Sequence, residues 1–88
     1  MTYFVYILRS LKDGKLYIGA TNNVSRRLIE HNKGKSKSTK ARKPFILIYT
    51  EMFTTLSSAR KREWYFKNTR EGNKWLKEKL KAVDGSVV

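Results

Sequence analysis

Short apolar runs separated by polar turns set the rhythm of the chain. From Thr2 to Leu8 nearly every residue is β-branched, aromatic or aliphatic, and Leu16 to Ala20 repeats that character after Lys12-Asp13-Gly14-Lys15. Two such runs around an Asp-Gly turn predict a β-hairpin. With Asp13-Gly14 as a two-residue loop, Ser10 stands across from Tyr17 and Tyr6 across from Thr21, so both tyrosines leave the same face of the ribbon. Next, Thr21-Asn22-Asn23 offers helix-capping side chains, and Val24, Leu28 and His31 recur at helical spacing until Gly34. Arg27 shares that stripe. Phe45 to Met52 reads as a third strand, and its run of apolar residues predicts cover on both faces.

Two more helices complete the pattern. Ser57 is the expected cap of the first, from Ser58 to about Asn68, with Leu56, Ala59 and Phe66 as an apolar stripe that also takes in Glu63. Asn73 is the expected cap of the second, which runs to about Ala82 with Trp75, Leu76, Leu80 and Val83 on one face. The order is β-β-α-β-α-α, an α+β arrangement. The expected organisation is a single domain over 1–82 with a flexible tail over 83–88.

Charge changes the picture most. Twenty Lys and Arg stand against seven Asp and Glu, a formal net charge of +13, the electrostatic footprint of a polyanionic partner, with nucleic acid as the leading candidate. A membrane surface is the weaker rival, because no continuous segment gathers bases on one face and large apolar residues on the other. No apolar run nears the roughly 20 residues of a bilayer span, and the opening MTYFVYILRS lacks the basic-then-apolar plan of a leader. The reading is therefore a soluble, unprocessed, cytoplasmic protein with no obligate protein partner. The absence of cysteine excludes disulfides and thiolate metal sites.

Candidate chemistry is sparse enough to weigh residue by residue. Glu63 follows three bases, Arg60-Lys61-Arg62, on an otherwise apolar stripe. It either pairs within the helix with Lys67 or Arg60, for about 0.2–0.5 kcal/mol, or holds a hard divalent cation against phosphate oxygens. Arg27 and His31, four apart, put a guanidinium and an imidazole on one helical face. Such a pair suits phosphate because the planar fork of arginine donates two parallel hydrogen bonds; the alternative for Arg27 is an ordinary surface arginine. His31 is the one histidine, so a multi-histidine metal site is excluded. Tyr6 and Tyr17 are either strand packing or a base, and a tyrosine base needs a cation such as Arg27 or a metal to lower its pKa from about 10. The segment KSKSTKARKP, residues 35–44, contains five bases and no acid. It reads as a loop, with Lys35, Lys37, Lys40, Arg42 and Lys43 as candidate phosphate contacts together with Arg60 and Lys67. Trp64 and Trp75 are candidates for base stacking or for core packing.

Taken together, these segments resemble a known family. Val5-Tyr6-Ile7, followed by Tyr17-Ile18-Gly19, is similar to the paired signature of the GIY-YIG nucleases, with valine at the first letter. The helix Thr21 to Asn32 resembles the family's arginine helix, with Arg27 as its arginine and His31 where the family often carries histidine or tyrosine. Ala59 to Lys67 resembles the later helix whose glutamate, here Glu63, anchors the metal. Ala20 stands where some relatives carry lysine, and a late asparagine of some relatives corresponds to Asn68, Asn73 or neither. The match runs from about Tyr3 to Leu80, and a standalone chain this short resembles the small YhbQ-like (UPF0213-type) group. The resemblance implies a three-stranded antiparallel sheet flanked by helices. It further implies a metal-dependent endonuclease that uses one Mg²⁺ or Mn²⁺ to hydrolyse DNA, structure-directed and with little sequence specificity, in repair or recombination, RNA not being excluded. Catalysis would fall to Tyr6, Tyr17, Arg27, His31 and Glu63, with Glu63 the metal ligand. The rival reading is a binding module that keeps the fold and has lost the chemistry.

Overall fold

The computed structural model describes the backbone of residues 1–83 and the side chains of residues 1–80. Its elements run β1 (Tyr3–Ser10), β2 (Leu16–Thr21), α1 (Val24–Asn32), β3 (Phe45–Phe53), α2 (Leu56–Asn68) and α3 (Arg70–Val83), with a 3-10 turn at Lys40–Arg42. This is the expected order and the expected α+β class. The expected tail at 83–88 lies outside the described residues except for Val83, which closes α3.

The strands form one antiparallel sheet in the order β2-β1-β3. β1 is therefore central, and four successive residues, Val5 to Leu8, are at most 1% exposed. The strand expected to be covered on both faces was β3, and that expectation is corrected. β3 is an edge strand whose Ile46 and Leu47 are 42% and 40% exposed. An apolar run reports the hydrophobicity of a strand but not how many neighbours it has.

The hairpin register also differs from the two-residue-loop reading. Tyr6 faces Gly19 and Tyr17 faces Leu8, because the chain turns through Leu11–Gly14. Ser10 N–H donates to the Lys15 carbonyl at 2.9 Å, and Gly14 N–H donates to the Ser10 carbonyl at 2.9 Å. Gly14 adopts φ +73°, the left-handed conformation that lacks a steric cost only for glycine. The slide of two residues is even, so each side chain keeps its face and both tyrosines still share one.

Helix starts follow hydrogen bonding. Asn23 caps α1 as the sequence suggests, its side chain accepting from Arg26 N–H at 3.0 Å. α2 begins two residues before the expected start, because Thr55 rather than Ser57 is the cap, its Oγ1 accepting from Ser58 N–H at 3.1 Å. Thr69 likewise displaces Asn73 at the start of α3. Its hydroxyl donates to the Tyr65 carbonyl at 2.8 Å and accepts from Gly72 N–H at 2.9 Å, closing one helix and opening the next. Asn73 lies inside α3 and donates to the Phe66 carbonyl at 3.0 Å.

Two cores result, one on each face of the sheet. Val5 and Ile7 pack with Ala59, Phe66, Leu76 and Leu80 of α2 and α3. Tyr6 and Leu8 pack with Phe45, Tyr17 and the α1 residues Val24 and Leu28. Burying a side chain such as Phe66 contributes about 1.5–3 kcal/mol.

Candidate functional site

The second face of β1 opens onto a cleft of about 490 Å³ lined by Tyr6, Tyr17, Gly19, Ala20, Arg27, Arg60, Glu63, Trp64, Lys67 and Asn68. Four elements meet there. β1 supplies Tyr6, β2 supplies Tyr17 and Gly19, and α1 reaches in with Arg27. α2 packs on the other face and reaches round the β2 edge with Glu63 and its neighbours. The tyrosine rings lie 6.2 Å apart, centroid to centroid. Gly19 is required by Tyr6, its cross-strand partner, because a Cβ added there would sit 2.5 Å from the phenol oxygen.

Tyr6 is held by a buried chain of polar groups. Its hydroxyl lies 3.1 Å from His31 Nε2, and His31 Nδ1 lies 2.7 Å from Thr39 Oγ1; His31 and Thr39 are fully buried. Burial, then the Arg27 charge, hold the imidazole below its ordinary pKa, so one ring nitrogen donates and the other accepts. The Arg27 guanidinium acts on the same phenol and favours its ionised form. Burial pushes the Tyr6 pKa up to about 12, with Arg27 offsetting only part of the rise. The cation that a tyrosine base would need is at hand, but for Tyr6 desolvation outweighs its charge.

Arg27 and Glu63 face the cleft already engaged. Arg27 Nη1 donates to Glu30 Oε1 at 2.6 Å. Lys67 Nζ donates to Glu63 Oε2 at 2.7 Å, forming the intrahelical pair its spacing allows, and lies 5.7 Å from the centre of the Tyr17 ring. Among the described residues no group of three or more His, Cys, Asp or Glu side chains stands ready for a metal, and Glu63 is the carboxylate among the cleft-lining residues. That donor set does not make a protein cage. It fits a hard cation that takes one carboxylate and completes its shell with water and substrate phosphate, as Mg²⁺ commonly does.

The remaining expected residues divide. Arg60 and Lys67 line the cleft, whereas His31 sits behind Tyr6 and does not. Lys35, Lys37, Lys40 and Lys43 are exposed outside it. Arg42 is turned inward: Nε donates to Asp13 Oδ2 at 3.0 Å, Nη2 donates to the Leu16 carbonyl at 3.2 Å, and the guanidinium lies over the Phe45 ring. It braces the loop against the hairpin. Nor is the basic segment a plain loop, since it carries the 3-10 turn, buries Thr39, and accepts the Ser10 hydroxyl at the Arg42 carbonyl. Of the two asparagines considered, Asn68 lines the cleft while Asn73 ties α3 to α2. Trp64, a candidate for stacking or packing, lines the cleft, whereas Gly19 was missed because the two-residue-loop register set Thr21, not Gly19, opposite Tyr6.

Comparison with known proteins identifies the family and the fold. The profile of the GIY-YIG catalytic domain matches residues 2–76. A UPF0213 protein of Bacillus licheniformis is 44% identical over 81 residues, which cover 89% of this chain and 82% of the relative. A UPF0213 protein of Staphylococcus haemolyticus is 41% identical over 83 residues, covering 93% and 94%. The solution NMR structure of a UPF0213 protein from Bacillus halodurans superposes with a TM-score of 0.51 at 38% identity, over 97% of this chain and 87% of that one. With its strand order, its paired tyrosines and these matches, the chain belongs to the GIY-YIG nuclease superfamily, within the UPF0213 group.

Proposed function

We propose that this protein is a cytoplasmic, metal-dependent endonuclease that hydrolyses phosphodiesters in DNA, recognising structure more than sequence, in the service of repair or recombination. The observation that carries the reading is the convergence of Tyr6, Tyr17, Arg27 and Glu63, from four separate elements, on one cleft that also holds Arg60 and Lys67. In this reading the cations grip the backbone. Backbone contacts position a nucleic acid without reading its bases, hence the loose sequence preference.

Each side chain then has a task. Glu63 would hold Mg²⁺ or Mn²⁺, which when bound stabilises charge on the phosphate and leaving oxygens. Arg27 uses its outward N–H groups on the same phosphate while Glu30 fixes the rest of the fork. Tyr6 keeps its proton at neutral pH because burial raises its pKa to about 12. It accepts a proton from the attacking water only as its own passes to the neutral Nε2 of His31, 3.1 Å behind it. Tyr17, beside Tyr6 on the same face of the sheet, orients that water.

The test is cleavage of branched and linear DNA with and without Mg²⁺ or Mn²⁺, alongside Glu63→Gln. Cation-dependent cleavage that drops by about 10²–10³-fold in the variant is expected, the scale for losing one charge-stabilising group. DNA binding by the wild type, with no cation-dependent cleavage above the variant on any substrate, would leave only the non-catalytic binding module.

A further inference from the structure

Two tryptophans on neighbouring helices occupy opposite situations. Trp75 of α3 is half-buried and packed against protein groups: its ring stacks on Phe66 at 5.5 Å and 20°, and the Arg62 guanidinium lies 4.8 Å from its centre. Trp64 of α2 is 61% exposed, and among the described residues no aromatic ring packs on it. Single exposed apolar residues are common and need no explanation by themselves. The position of this one is what matters. It follows Glu63 and lines the cleft. It also lines a shallow second groove of about 560 Å³ with Leu56, Ser57, Arg60 and Lys61, so Trp64 and Arg60 join the two spaces.

Helical spacing surrounds the indole with cations: Arg60 and Lys61 lie one turn before it and Lys67 one turn after. A partner reaching this ring from the cleft must tolerate positive charge on both sides and offer a flat surface between. A nucleotide does both, since its phosphates meet the cations and its base has a π-face for the ring. An apolar protein surface would instead leave those ammonium and guanidinium groups desolvated.

We propose that Trp64 is a stacking platform for a base unpaired beside the phosphate held in the cleft. The substrate class is then DNA with a single-stranded, mismatched or branched segment at the cleaved bond. The inference rests on the nuclease reading for the position of that phosphate. It follows that intact duplex is disfavoured, because a base must leave its stack to reach the ring.

Binding in EDTA tests this without turnover. Anisotropy of a labelled single strand, a mismatch bubble and a perfect duplex would be measured for the full chain, Trp64→Ala and Trp64→Phe, with tryptophan fluorescence followed in parallel. Trp64→Ala is expected to weaken the single strand and the bubble by about tenfold and the perfect duplex by less than about twofold, and Trp64→Phe to recover most of the loss. The single strand should quench wild-type fluorescence and leave Trp64→Phe, which retains Trp75, nearly unchanged. Equal losses on all three substrates, no loss, or quenching that persists in Trp64→Phe would overturn the proposal. So would Trp64-dependent self-association without DNA, which would make a second copy the partner. Cleavage with Mg²⁺ separates the two readings. If no form cleaves yet the binding pattern holds, stacking stands and the nuclease falls; if Glu63→Gln abolishes cleavage while Trp64→Ala keeps the wild-type substrate preference, stacking alone falls.

Discussion

The two faces of β1 are built from the same strand by different means. Val5 and Ile7 look into an aliphatic and aromatic core closed by Ala59, Phe66, Leu76 and Leu80. Tyr6 and Leu8 look into a smaller cluster with Phe45, beside the buried polar pair His31 and Thr39. The first face owes its stability to burial, which is proportional to area and indifferent to direction. The second depends on hydrogen bonds that must all be made, because an unmatched buried donor or acceptor costs more than a formed bond contributes. Directional bonding is what a cleft needs to aim a phenol. The chain thus keeps its bulk stability away from its chemistry.

Breaking the apolar face should cost most. Phe66→Ala is expected to destabilise by about 3–5 kcal/mol, read as the free energy of urea unfolding. Breaking the polar face should cost less overall and act on chemistry as well: Tyr6→Phe removes the hydroxyl bonded to His31 Nε2 and is expected to destabilise by about 1–3 kcal/mol, with loss of cleavage.

A pH titration of the melting temperature sharpens the contrast further. The folded His31 pKa lies below its unfolded value, so between the two the unfolded chain binds more protons and stability rises with pH. Melting temperature is therefore expected to fall as pH drops from 7.5 through 6.5 and below, and His31→Gln should flatten that part of the curve. Glu30 and Asp13 act in a separate window. The first is held below the usual carboxylate range by Arg27, the second by the Lys15 backbone N–H, so what they contribute is lost only as pH falls through about 4 and lower. The smallest effect belongs to Glu63→Gln, which loses a helical ion pair and should shift stability by no more than about 0.5 kcal/mol. A large shift would make Glu63 a structural residue.

Much of this was legible in the chain because its signals are local. Parity along a strand put Tyr6 and Tyr17 on one face even when the loop was misjudged, and helical spacing carried Arg27 towards Tyr6 and joined Glu63 to Lys67. What stayed hidden depends on contacts between distant segments. Arg62 reads as one of three consecutive bases. In the fold it grips Glu51 with two hydrogen bonds, at 2.8 and 3.2 Å, and covers the Phe66 ring at 4.4 Å. Glu51 in turn accepts from the Tyr49 hydroxyl at 2.6 Å, and burial pushes the pKa of that phenol up to about 12. No spacing rule links β3 to α2. Thr39 was hidden likewise: a threonine among lysines reads as solvated, and only the seating of its loop on α1 buries it.

The hydrogen bond from His31 to Thr39 has a consequence for anyone who would graft a peptide onto this scaffold. From Thr39 to Phe45 the segment is bonded in at Thr39 Oγ1, at the Arg42 and Pro44 carbonyls, and at Phe45 N–H. Added length there would pull on the phenol of Tyr6 through the imidazole. Lys37 and Ser38 are exposed, yet the turn they form closes on the same segment, Thr39 and Lys40 N–H donating to the Ser36 carbonyl at 3.2 and 2.9 Å. Side-chain substitutions should be tolerated there, whereas insertions would open the turn that seats Thr39 and so disturb the aim of the tyrosine.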